Sequence, residues 1–132
     1  MKPIYYPEQY NILWGSSWIS FFPTITAFKN EKYDLAFCTG GVWLSSLLFW
    51  KRPVNNWRRL LDIIFVRCCF SYQVYKSFQL NRELVFIPVS MVGLGSYYVG
   101  CHFYNKGNYW VSVYCHLGLH IFANIGNFIL AW

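Results

Sequence analysis

Apolar residues run along this chain in five blocks, at 11–28, 33–50, 60–80, 84–104 and 109–132, separated by short polar links. Within the blocks the polar positions recur at three- and four-residue intervals, the spacing of a helix face rather than of a strand. Blocks of this length match the bilayer hydrocarbon at 1.5 Å of rise per residue. The pattern predicts an all-α fold, a polytopic transmembrane helix bundle of about five spans, in a single domain covering residues 1–132.

The first block carries Ser16, Ser17, Ser20, Thr24 and Thr26, and Pro23 removes one helical donor, so a kink is expected there with hydroxyls serving the freed backbone. Gly15, Ser16 and Ser20 suit a close helix approach. The link 29–32 is too short for anything but an antiparallel neighbour. In the second block the Gly40-Gly41 pair predicts a close contact or a bend. The third begins after the most basic stretch, Lys51 to Arg59, whose Pro53, Asn55 and Asn56 are turn formers. The fourth holds Pro88 and several glycines, and the fifth follows the turn 105–108.

Composition sharpens this picture. Of the 132 residues, 56% are hydrophobic, 23% aromatic and only 12% charged, against roughly 25% charged in ordinary soluble domains. So apolar a chain belongs in the lipid bilayer, and its blocks leave no room for a separate soluble head. The first ten residues lack the basic region and cleavage site of a signal peptide, so none is expected to be removed. The net charge of +6 is spread over the links instead of forming one patch, which argues against nucleic acid as a partner. Lys51, Arg52, Trp57, Arg58 and Arg59 have the composition of a loop at anionic lipid headgroups, with Trp50 at the same interface and Arg67 snorkelling or meeting an anion deeper in. With links on alternating sides, Lys2, Lys51, Arg52, Arg58, Arg59 and Lys106 face Lys29, Lys32, Lys76 and Arg82, a bias toward an N-terminus inside. No organelle address is readable, the mitochondrial inner membrane and the endomembranes both being open. The five cysteines show no metal-type spacing and read as small core residues.

Two polar seams carry what chemistry there is. In the fifth block Ser112, His116, His120, Asn124 and Asn127 share one face, and in the third Asp62, Cys69, Gln73 and Lys76 fall within an arc of about 60°. Carboxamides and imidazoles turned to acyl chains would lose their hydrogen bonds, so both seams are expected to face inward. Two imidazoles at i and i+4 can chelate one ion, and Asp62 is the natural further ligand; the antiparallel order sets Asp62, His102, His116 and His120 toward one end of the bundle. The competing reading is that these groups hydrogen-bond across helices and fix packing.

The order of Ser46, Asp62 and His116-x-x-x-His120 resembles that of the alkaline ceramidase and adiponectin-receptor superfamily of membrane hydrolases. The resemblance implies a zinc held by His116 and His120, with Asp62 supporting the water. That family has a histidine four residues after the serine, where this chain has Trp50, and seven spans instead of five. The reading favoured overall is a non-catalytic accessory or structural subunit, with no catalytic residue and no cofactor, packed against other membrane protein subunits and lipid. The alternatives are a zinc-dependent membrane lipid hydrolase or an inactive relative, and a small transporter or channel lined by the seams.

Overall fold

The computed structural model describes residues 3–132, so Lys2 of the charge comparison lies outside the described residues. It is all-helical. Six α-helices follow one another: α1 (Pro7–Ser17), α2 (Phe21–Lys29), α3 (Tyr33–Trp50), α4 (Trp57–Gln79), α5 (Glu83–Asn105) and α6 (Tyr109–Ala131). A 3-10 turn, Trp18–Ser20, joins α1 to α2, so the helices form five rods. The break lies one turn before Pro23 rather than at it. Pro23 falls in the first turn of α2, where a missing N–H costs little, while the Thr24 hydroxyl donates to the Ser20 carbonyl at 2.7 Å. α5 and α6 are long and apolar enough to cross a membrane.

The rods alternate in direction, and hydrogen bonds identify the two ends of the bundle. At one end Ile4 N–H donates to the Pro53 carbonyl at 2.8 Å, and the Tyr104 hydroxyl donates to the Ile4 carbonyl at 3.2 Å. At the other end the 29–32 link and Arg82 meet the last turn of α6. The described residues therefore begin and finish at opposite ends of the bundle.

α6 is the central rod, packed along α5 and against α1, α2 and part of α3, whereas α4 rests mainly on α3. Glycines set the close approach of α5 to α6: a Cβ on Gly100 would lie 3.0 Å from Cys115 Cβ and 3.2 Å from the Ser112 carbonyl oxygen. α3 runs unbroken through Gly40 and Gly41, which face the Thr24 side chain and the Phe65 ring. Gly15 meets no neighbour and is exposed, so the close approach expected there is made by Ser16 and Ser20, both buried.

The interior is layered. One apolar cluster, Ala27, Leu35, Ala36, Phe86, Leu130 and Ala131, closes the end near the 29–32 link, and a second, Tyr5, Leu13, Phe49, Trp50 and Val113, closes the other. In sequence the residues between these clusters on α1, the 3-10 turn, α3 and α6 supply eight of the buried polar residues: Ser16, Ser17, Ser20, Thr39, Ser45, Ser46, Asn124 and Asn127. Among the described residues fourteen apolar and thirteen polar ones are buried, while Phe22, Phe37, Leu44 and Leu84 stand 60%, 72%, 60% and 85% exposed.

Candidate functional site

The polar face of α6 runs down the middle of the bundle. At its start Ser112 meets the Tyr5 hydroxyl at 2.7 Å, and burial pushes that phenol above the usual tyrosine range. His116 sits among rings, with centroids of Trp50 at 4.9 Å, Tyr97 at 5.7 Å and His120 at 5.0 Å, all edge-on. His120 Nδ1 lies 2.6 Å from Ser16 Oγ. Ser16 Oγ also lies 3.0 Å from the Leu13 carbonyl, so its one hydroxyl proton is shared between two acceptors and the tautomer of His120 sets which of them receives it.

The polar face of α4 turns toward α3 and α6. Asp62 Oδ1 accepts from Ser45 at 2.9 Å and from Ser46 at 3.1 Å. Two turns along, Cys69 is buried, as is Cys38 of α3. Gln73 Nε2 donates to Asn127 Oδ1 at 2.8 Å, Asn127 Nδ2 to Asn124 Oδ1 at 3.1 Å, and Asn124 Nδ2 to the His120 carbonyl at 2.7 Å. Lys76 pairs with Asp34 at 3.0 Å, and the Tyr72 hydroxyl donates to the same carboxylate. The relay from Gln73 to His120 joins the two seams, which sequence periodicity treats as separate faces. Within it Asn124 bonds only inside its own helix, and Asn127 makes the bond between helices.

Several expected placements differ. Trp50, expected at the interface beside the basic link, is 4% exposed, because the N-terminal segment folds back and stacks Tyr5 on it with ring centroids 6.0 Å apart. His102 is exposed, edge-on to Phe103 at 5.6 Å, and so does not join Asp62, His116 and His120. Among the described residues no three His, Cys, Asp or Glu side chains gather as a metal site would require. The causes are local: Ser45 and Ser46 hold Asp62, Trp50 lies against His116, and Ser16 occupies one nitrogen of His120. Of the cysteines, Cys68 is exposed rather than in the core. Lys51, Arg52 and Trp57 are exposed, Arg58 is half-buried over the Trp57 ring at 5.5 Å, and Arg59 bonds Asn55 at 3.2 Å.

One cluster is absent from the sequence reading. Asn30 Nδ2 donates to the Ala131 carbonyl at 2.8 Å, Lys32 Nζ to the Leu130 carbonyl at 2.8 Å, and Arg82 to the Ile129 carbonyl. Two cations and an amide thus cap the carbonyls that the last turn of a helix leaves free, at the negative end of its dipole. Burial, and after it the nearby Arg82, pull the Lys32 ammonium below the usual lysine range. The available signal was only that Lys32 and Arg82 fall in short links on the same side.

No family model, curated protein or solved structure matches this chain.

Proposed function

We propose that this chain is a small polytopic membrane protein of five spans, acting as a non-catalytic accessory or structural subunit of a larger membrane protein complex. The observation that carries the reading is the distribution of side chains: large apolar residues cover the outside, while nearly as many polar as apolar residues are buried and most of those polar groups bond to one another or to backbone carbonyls. α3 and α4 do not stand beside α5 and α6 among the helices long and apolar enough to cross a membrane, but their polar residues Ser45, Ser46, Asp62, Gln73 and Lys76 have partners inside the bundle. Such satisfied groups cost far less in lipid than free ones. Lys51, Arg52, Trp57, Arg58 and Arg59 would then lie at anionic headgroups, with the N-terminus inside. Exposed aromatic and aliphatic side chains supply the lateral contact area for partner subunits. In mild non-ionic detergent the protein from native membranes is expected to migrate in an assembly several times its own mass and to lose stability when stripped from it. A stable lone monomer would sink the reading.

A second reading, a metal-dependent lipid hydrolase or its inactive relative, is favoured by one observation. Ser46 and Asp62, two residues of the resemblance, are hydrogen-bonded at 3.1 Å, and Trp50, standing where the resembled family has a histidine, touches His116. Metal analysis separates the two. On the subunit reading, purified wild type holds no stoichiometric zinc, and His116→Gln and His120→Asn cost about 1 kcal/mol each, the ordinary value for a substitution that keeps a hydrogen-bonding group. Stoichiometric zinc lost in both variants would instead establish the metalloenzyme.

A further inference from the structure

The face of α4 opposite its inward seam is an unoccupied stripe. Leu60, Ile64, Arg67, Ser71, Tyr75 and Phe78 recur at intervals of three and four and lie within an arc of about 80°. All six are exposed, the four apolar ones by 59%, 51%, 57% and 55% in chain order. This is the spacing of a seam that packs against one further helix. At its centre the Arg67 guanidinium has no hydrogen-bond or ion-pair partner among the described residues, and Ser71 Oγ bonds the Arg67 carbonyl at 2.9 Å.

We propose that this stripe docks a transmembrane helix of a partner subunit, and that the partner carries an Asp or Glu at the depth of Arg67. The inference rests on the five-span subunit reading. An unpaired cation within a span is costly and calls for an opposite charge, and the apolar residues above and below it define where that charge must sit. Depth selects the source of the charge. Arg67 lies ten residues into α4, about 15 Å from its start, near the middle of the helix and between the levels of Asp62 and Gln73. Lipid phosphates lie outside the hydrocarbon core, about 15 Å from its midplane, which is farther than an arginine side chain extends. A carboxylate on a neighbouring helix has no such gap to cross.

The test uses the full-length protein in phosphatidylcholine vesicles with single-span leucine helices as probes, bearing Glu, Gln or Arg at their centre, and reads association by resonance energy transfer. The Glu probe is expected to bind about tenfold more tightly than the Gln probe, the range of interhelical polar contacts in model helices. The preference should vanish in Arg67→Leu, persist in Arg67→Lys and pass to the Arg probe in Arg67→Glu. Arg67 is exposed, so the substitutions leave the interior intact, and Arg67→Lys reports on any general loss of fold. Equal binding of the Glu and Gln probes, or a preference that survives Arg67→Leu, overturns the proposal. So does a preference erased by adding phosphatidylserine, since an anionic lipid headgroup would then be the partner. A chain that migrates in a large native assembly yet shows no charge preference fails this inference alone; a lone stable monomer fails the subunit reading itself.

Discussion

Arg82→Ala is expected to destabilise the bundle by about 2 kcal/mol, since a hydrogen bond to a charged group is worth about 1.5–3 kcal/mol and the favourable charge at the helix C-terminus is lost with it. The guanidinium bonds the carbonyl of Ile129 and reaches that of Leu130 at 3.4 Å, tying the start of α5 to the last turn of α6. Lys32→Ala should cost less. Its ammonium makes one bond to the same turn, and the proximity of Arg82 offsets part of the gain. Unfolding in mixed micelles, followed by tryptophan fluorescence, measures both. A loss for Arg82→Ala no larger than that for the exposed Arg52→Ala would show that the contact does not hold α6 in place.

The second large effect lies in the relay from α4 to α6. Asn127→Leu removes the acceptor of Gln73 Nε2 and the donor to Asn124 Oδ1, stranding two buried polar groups. Gln73→Leu strands only Asn127 Oδ1. Interhelical hydrogen bonds in membranes average about 0.6 kcal/mol with a maximum near 1.7, while an orphaned buried group costs about 1–3 kcal/mol. Asn127→Leu is therefore expected to lose about 2 kcal/mol and Gln73→Leu about 1, with the double variant losing less than the sum. The same unfolding assay on all four proteins closes the cycle. Strict additivity would mean that these two side chains do not depend on each other.

The histidine pair shows how far a sequence motif reaches. His116-x-x-x-His120 put two imidazoles on one face, as the geometry of any helix requires, and their rings lie 5.0 Å apart. What each imidazole meets depends on other rods: Trp50 from α3, Tyr97 from α5 and Ser16 from α1. Trp50 illustrates the opposite case. Beside a basic link a tryptophan reads as an interface anchor, and only the return of the N-terminal segment, through the Ile4 and Tyr5 contacts, buries it.

The all-helical fold and the positions of its rods were legible because helix periodicity, turn formers and link length are local properties, set by residues within a few positions of one another. Hence 33–50 was expected as one helical block and α3 occupies Tyr33–Trp50. The inward-facing groups of α4 could be named for a similar reason, since an arc on a helix follows from spacing alone. Their partners could not. Whether Asp62 meets a serine or an imidazole depends on the rotation and depth of α4 against α3 and α6. Those are decided by close packing at places such as Gly41 against Phe65 and Gly100 against Cys115. Arg82 at the Ile129 carbonyl bridges 47 positions of sequence, and that distance closes only when the rods have packed.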